Sequence, residues 1–371
     1  MTAGFRWTLQ AEAEAAQLFP DDAVVERHVG RGEYRGLEFL HVNAQSMLNE
    51  VAGAPFGFRW TLNAYRGCSH ACAYCFARPT HAYLGLGIGD DFDRKIVVKV
   101  NAAEVLAAEL RRPRWRGDTV AMGTNTDPYQ RAEGRYRLTR SLVRTLVDAA
   151  NPFSILTKSP LLLRDLDLLT LAARRGLARA CLSIGTLDAS VAALTEPGAA
   201  HPQRRMAAVA KLNAAGVPCD VLIGPVLPGL SDRPEQLSEV IDGAVAAGAS
   251  KIVAVPLHLR GPLRDHLLGW ARANRPELAE QWGRTYARRS YLPRARQDEL
   301  AHLVAELVVD ARSRLGVAPA AAEGEGTGAS ETETERQRGD DWTGADGVPV
   351  PAGRPRVEQV EQLSLLGVAA P

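Results

Sequence analysis

The chain of 371 residues is long enough to bury a substantial core, and with 46% hydrophobic and 23% charged residues it reads as globular rather than fibrous or wholly disordered. Its formal charge is +1, but residues 318–371 carry ten acids against four arginines. The rest therefore stands at about +7, a modest excess that suits an ordinary surface as well as a polyanion-binding face. No stretch approaches eighteen consecutive apolar residues, and MTAGFRWTLQAEAEAAQLFPDD lacks the basic start and apolar run of a signal peptide, so a cytoplasmic protein with no membrane partner is expected.

Residues 1–58 read as a lead-in with short strands, in which GLEFLHVNAQSMLNEV suggests a strand and a turn. The hexapeptide GFRWTL occurs at 4–9 and 57–62, too short and too widely spaced to establish a repeat. KIVVKVNAAEVLAAELRR reads as a strand running into a helix. Then come DTVAMGTNTDPYQ, FSILTKS, ARACLSIGTLD, VPCDVLIGPVLPGLSD and SKIVAVPLHL, each a short apolar run closing on polar or glycine residues.

Helical spacing of apolar residues separates these runs at 139–150, 161–175, 202–215 and 234–247. Strands alternating with helices imply parallel strands joined by right-handed crossovers. With the stretch entering the cysteine loop there are about six units over 59–260, which predicts a partial α/β barrel open on one side. Ligands in such folds bind at the carboxyl ends of the strands, so GTNTDPYQ, TKS, SIGTLD and GPVLPGLSD should face one site.

Residues 261–317 look helical and basic and are expected to cap the open barrel. From 318 to 371 the composition cannot offset its chain entropy, which predicts a disordered acidic linker ending in the more apolar VEQVEQLSLLG.

Three of the five cysteines, Cys68, Cys72 and Cys75, form a CxxxCxxC motif in YRGCSHACAYCFARPTH. Three thiolates on one loop can reach three irons of a 4Fe-4S cube, leaving the fourth iron open to a small molecule. The same cysteines with His70 or His81 would make a structural zinc site, although no second cysteine knuckle occurs. Cys181 and Cys219 stand alone in apolar strands, where cysteine is ordinarily a core residue; a side chain pointing into the barrel would change that reading.

With Tyr74 just before its last cysteine, the motif resembles the signature of the radical S-adenosylmethionine superfamily, whose partial (β/α)6 barrel matches the strand count. The resemblance implies that the open iron binds S-adenosylmethionine, that a reductant such as flavodoxin or ferredoxin supplies one electron, and that a 5'-deoxyadenosyl radical abstracts hydrogen from a substrate. NAYRGCSHACAYCFARPTH, TNTDPYQ, LTKSP, LSIGTLD and GPVLPGLSD are similar to the spore photoproduct lyase-like branch over about 60–260. That similarity implies cofactor contacts at Tyr74, Thr126, Asp127, Lys158 and Ser183, with Asn125 beside them.

Two departures bear on function. Asn125 stands where the DNA photoproduct lyases carry a hydrogen-donating cysteine, and Phe76 stands where a tyrosine is expected. The sequence more closely resembles an uncharacterised bacterial subgroup with CSHACxYCFARPTH and GTNTDPYQRAEGRY, so lyase-like radical chemistry is implied without a substrate.

Arginine interleaves with aromatic residues in RRPRWRG at 111–117 and YARRSYLPRAR at 286–296, which suits a nucleic-acid partner, although a solvated helix end gives the same pattern. QLSLLG resembles the bacterial sliding-clamp motif, placing Gln362, Leu363, Leu365 and Leu366 as candidate clamp contacts. Two readings follow: a radical enzyme acting on a nucleic acid or nucleotide, or a DNA-associated iron-sulfur sensor or adaptor tethered to the clamp.

Overall fold

The computed structural model describes residues 24–51 and 58–317. Strands β1 (Val24–Val29) and β2 (Glu38–Val42) form an antiparallel hairpin, β3 (Leu48–Glu50) pairs antiparallel with β4 (Trp60–Leu62), and β5 (Tyr65–Arg66) enters the cysteine loop. Next come α1 (Asp90–Arg94), β6 (Lys95–Lys99) and α2 (Ala102–Leu110). The regular part follows: β7 (Val120–Met122), α3 (Arg131–Tyr136), α4 (Leu138–Asp148), β8 (Phe153–Thr157), α5 (Leu166–Arg174), β9 (Ala178–Ser183), α6 (Ala189–Thr195), α7 (Pro202–Ala214), β10 (Cys219–Val226), α8 (Pro234–Ala246) and β11 (Ile252–Pro256). Helices α9 (Pro262–Asn274), α10 (Pro276–Thr285) and α11 (Arg294–Leu315) complete the described chain. Proline opens α7, α8, α9 and α10, where its missing N–H would have no helical partner anyway.

Strands β4, β7, β8, β9, β10 and β11 are parallel neighbours in that order, and β3 adds an antiparallel edge beside β4. The two edge strands are not paired with each other, so six βα units form a sheet that does not close. Helix α11 packs on α8 and β11 and so covers one end of this sheet.

The lead-in and KIVVKV behave differently from the barrel units. β2 pairs in parallel with β6, and with β1 and β5 they make a second, four-stranded sheet. The strand expected in GLEFLHVN is therefore ordered by a partner far along the chain. The second GFRWTL copy contributes β4, while the first, like residues 318–371, lies outside the described residues.

Alternation along the strands sorts the side chains into two layers. On β9, Ala178, Ala180 and Leu182 face the helices and join the main core, as do Cys219, Val221 and Ile223 on β10. The opposite face of the sheet gathers Ala121, Leu156, Cys181, Leu222, Val253 and Val255. The two lone cysteines thus differ: Cys219 is fully buried under helices, whereas Cys181 faces the inside of the curved sheet.

Candidate functional site

The cysteine motif occupies the loop between β5 and a 3-10 turn at Arg78–Leu84. Arg78, 1% exposed, holds this loop: its Nε donates to the Cys72 carbonyl at 3.0 Å, and its Nη2 pairs with Asp93 at 2.8 Å. The Cys68 amide donates to the Phe92 carbonyl at 2.9 Å and the Ala73 amide to the Thr195 carbonyl at 2.9 Å. Behind the loop, Gly198 donates its amide to the His70 carbonyl at 2.9 Å, and a Cβ there would sit 2.0 Å from the Ser69 carbonyl oxygen. Glycine is required by that contact.

Cys68, Cys72 and Cys75 are unbridged and line one cavity. Burial pushes all three thiols above their ordinary range, so neutral thiols are favoured until a cation takes the protons' place. Among the described residues, the one group of three or more metal-ligating side chains whose donor atoms all lie within 4.8 Å is Glu26, His28 and His41 on the β1–β2 hairpin. Cys68, Cys72 and Cys75 do not form such a group. The two histidines weighed for zinc also lie apart from this role. His70 Nδ1 faces the Asp127 carboxylate at 3.4 Å, and His81, fully buried against Phe92, does not line the cavity.

The carboxyl ends of β7, β8, β9 and β10 complete the cavity with Thr126, Asp127, Lys158, Ser183, Gly224 and Pro225. Gly123, with φ +94°, turns the chain out of β7; a Cβ there would meet the Leu156 carbonyl oxygen at 2.0 Å. The Lys158 ammonium donates to Ser183 Oγ at 2.7 Å, pairs with Glu196 at 3.0 Å and lies 5.5 Å from the centre of the Tyr74 ring. Ser183 Oγ in turn donates to the Gly224 carbonyl at 3.1 Å.

Thr126 and Asp127 line the cavity but are engaged in bracing it. The Thr126 hydroxyl donates to the Gly67 carbonyl at 2.6 Å and accepts from Gln130 Nε2 at 2.8 Å, while Gln130 also accepts from the Ser69 amide at 3.0 Å. Asp127 accepts from the Tyr129 amide at 2.8 Å, Thr157 Oγ1 at 2.6 Å and the Lys158 amide at 2.7 Å. Burial opposes ionisation of Asp127, but His70 and these donors outweigh it and hold the carboxyl below its ordinary range. Asn125 and Phe76, the two positions that depart from the photoproduct lyases, also line the cavity.

Sequence reasoning missed Glu196 and Arg205. Glu196 accepts from the Tyr74 hydroxyl and pairs with both Lys158 and Arg205, the latter at 2.5 Å, while Arg205 also donates to the Ser183 carbonyl at 3.1 Å. Burial would raise the Glu196 pKa, yet Lys158 and Arg205 reverse that and hold it at about 2. This carboxylate joins the cysteine loop, β8 and α7. Its sequence setting, TEPGAAHPQRR, reads as an ordinary loop and helix start, and nothing in it singles out the pair.

The two arginine-rich segments fall at opposite ends of the sheet. RRPRWRG precedes β7 at the amino ends of the strands, where Trp115 packs against Trp60 and donates to Asn151 at 2.7 Å. It cannot flank the cavity. YARRSYLPRAR lies beside the segment leaving β11: the Leu259 amide donates to the Ser290 carbonyl at 2.7 Å, and Tyr291 stacks on His258 at 5.4 Å. Phe76 is 6.4 Å from the His258 ring, and the Arg260 guanidinium lies over Tyr291 at 5.7 Å.

Residues 62–241 match the Radical SAM superfamily. Uncharacterised proteins of Mycobacterium bovis and Mycobacterium tuberculosis are each 43% identical over 315 residues, covering 83% of this chain and 93% of the relative. Spore photoproduct lyase complexed with dinucleoside spore photoproduct aligns with a TM-score of 0.54 at 17% identity, over 73% of this chain and 79% of that one. A mutant of that enzyme with bound AdoMet and dinucleoside spore photoproduct gives 0.52 at 18% identity, over 74% and 78%. At these identities the likeness is one of fold.

Proposed function

The chain belongs to the radical SAM superfamily and is a radical SAM enzyme, and we propose that Cys68, Cys72 and Cys75 hold its 4Fe-4S cluster beside a S-adenosylmethionine site formed by Lys158 and Ser183. One observation carries this reading: the cysteine loop and the ends of β8 and β9 line a single cavity, and two of its lining residues, Lys158 and Tyr74, both meet Glu196 behind it. When bound, the cluster and S-adenosylmethionine would supply a 5'-deoxyadenosyl radical by one-electron cleavage.

The chain's own part is to bind, orient and exclude water. Lys158 offers a cofactor carboxylate a charged donor, and Glu196 keeps that ammonium aimed into the cavity while Arg205 balances the second carboxylate oxygen. Leu156, Leu222, Pro225 and Val255 give the cavity an apolar wall, which limits quenching by solvent. Neither Asn125 nor Phe76 carries an S–H or phenolic O–H, so those positions do not return hydrogen to a product. Cys181 lies one layer below Ser183 on the same face of β9, packed among Leu156 and Leu222 rather than lining the cavity.

A nucleic-acid or nucleotide substrate is supported by the mouth of the barrel. There Phe76, His258 and Tyr291 follow one another, with Arg260 over Tyr291 and exposed Arg288 and Arg289 alongside, a combination suited to base stacking and phosphate contact. The clamp residues Gln362, Leu363, Leu365 and Leu366 lie outside the described residues, and no observation favours the adaptor reading.

Anaerobic reconstitution with iron and sulfide, followed by dithionite and S-adenosylmethionine, should yield 5'-deoxyadenosine. A protein that assembles 4Fe-4S but forms none under strong reduction would end the enzymatic assignment. Substrate class is then tested by screening intact and damaged oligonucleotides for hydrogen exchange into deoxyadenosine; exchange from free metabolites alone would reject nucleic acid.

A further inference from the structure

A second cavity, an open groove of about 630 Å³, runs along the outside of the barrel between α7 and the 3-10 segment Pro160–Asp165. Its lining includes Arg131, Arg164, Arg204 and Lys211 and no carboxylate. Arg164 is neutralised by Glu133 at 2.6 Å and Asp165 at 2.9 Å. Arg131, Arg204 and Lys211 are exposed and form no ion pair among the described residues. Arginines elsewhere on the surface are of both kinds: Arg59, Arg179, Arg284, Arg296 and Arg314 face carboxylates, whereas Arg114, Arg116, Arg288 and Arg289 form no ion pair among the described residues. The groove is a local surplus of positive charge, and what sets it apart from the other unpaired arginines is its place against the cysteine loop.

His70 is the one residue that lines both this groove and the cysteine cavity. It lies on the cysteine loop, and Gly198, Ala199 and Ala200 opposite it leave the back of that loop covered by no large side chain. The groove thus approaches the loop from behind, while Lys158, Ser183 and the mouth of the barrel lie on the other side.

We propose that this groove docks the electron donor, an acidic one-electron carrier protein, and that His70 and the loop backbone beneath it form the entry to the cluster. The inference rests on the cluster assignment above. In the step itself, one electron leaves the reduced carrier and enters the cluster; the carrier is oxidised by one electron and no bond is made or broken. Unpaired surface cations steer an acidic partner and set its on-rate. A nucleic-acid strand in the same groove would be separated from the radical by the cysteine loop, which is why the groove is assigned to the reductant rather than to substrate.

The test uses the reconstituted full-length protein and flavodoxin as the acidic carrier. Arg131→Glu, Arg204→Glu and Lys211→Glu are combined, and the same charge change at Arg111, Arg114 and Arg116, beyond the opposite ends of the strands, serves as control. The groove variant should bind oxidised flavodoxin at least about tenfold more weakly by calorimetry, and reduced flavodoxin should reduce its cluster at least about tenfold more slowly. Dithionite, which needs no docking, should reduce it within about twofold of wild type, and the control should behave as wild type in both assays. Added salt should weaken flavodoxin binding to wild type by screening.

Flavodoxin kinetics unchanged in the groove variant, or slowed equally in the control, would overturn the proposal. So would loss of oligonucleotide binding with flavodoxin affinity intact. Failure of wild type to assemble a 4Fe-4S cluster on reconstitution is a separate result: it removes the cluster assignment and this inference together.

Discussion

The Lys158 ammonium lies 3.0 Å from the Glu196 carboxylate, across a gap of 38 positions in the chain, and the same carboxylate meets Arg205 at 2.5 Å. One acid thus serves two cations from different elements while accepting from the Tyr74 hydroxyl. Replacing Lys158 with alanine removes the cation that faces the cavity and leaves the Glu196–Arg205 pair in place. S-adenosylmethionine affinity, measured by equilibrium dialysis on the reconstituted protein, should fall by about 10- to 100-fold, matching 1.5–3 kcal/mol for a hydrogen bond to a charged group. Lys158→Arg should not restore it, because a planar guanidinium cannot reproduce the contacts to both Ser183 and Glu196.

Arg205 is 1% exposed and serves mainly to balance Glu196. Arg205→Met should destabilise the fold by about 3 kcal/mol in urea titrations, because it leaves a buried carboxylate with one cation where it had two. Adding Glu196→Gln should recover part of that loss. Strictly additive effects in the double variant would mean that the two residues are not coupled.

Acid should act through the same carboxylate. Glu196 is held at about 2 against an ordinary 4.5, so the fold binds the ionised form preferentially. The resulting stability is present above the ordinary glutamate range and is lost as pH falls from about 4.5 toward 2. On the order of 3 kcal/mol is at stake. Thermal melts across that window should fall more steeply for wild type than for Glu196→Gln; equal slopes would refute the linkage.

Each of Cys68→Ser, Cys72→Ser and Cys75→Ser should reduce iron after reconstitution to well under half the wild-type content, whereas Cys181→Ala and Cys219→Ala should retain it. Iron and acid-labile sulfide assays decide the matter. A zinc-loaded, iron-free protein from wild type would return the site to the structural-zinc reading.

Base stacking at the barrel mouth predicts that Tyr291→Ala weakens single-stranded oligonucleotide binding by about 1–3 kcal/mol, and that Arg288→Ala with Arg289→Ala lowers its salt dependence. Arg114→Ala and Arg116→Ala, at the amino ends of the strands, should change neither. The opposite pattern would place nucleic acid on the far side of the molecule.

Much of this architecture was legible in the residues. The regular strand and helix stretches follow periodicity and proline placement, which act within a few residues, and structure reproduces helices such as Pro202–Ala214 and Pro234–Ala246 closely. In the lead-in the strand within GLEFLHVN was legible but its partner was not, because β2 pairs with β6 some 57 positions away, as in Leu40 opposite Val97, and no local pattern encodes such a partner.

For the site, the sequence by itself determined which residues could carry the chemistry: three cysteines at a spacing that one loop can offer to a cluster, and polar residues closing parallel strands, where ligands bind. Tertiary structure alone decided how those residues are used. It turned Lys158 and Ser183 into the cavity, committed Thr126 and Asp127 to bracing the loop, brought Glu196 and Arg205 in behind Lys158, and sent the two arginine-rich segments to opposite ends of the sheet. The reason is geometric. Residue type and spacing fix chemical capability, whereas hydrogen-bond partners, burial and the face a strand presents depend on contacts between elements distant in the chain.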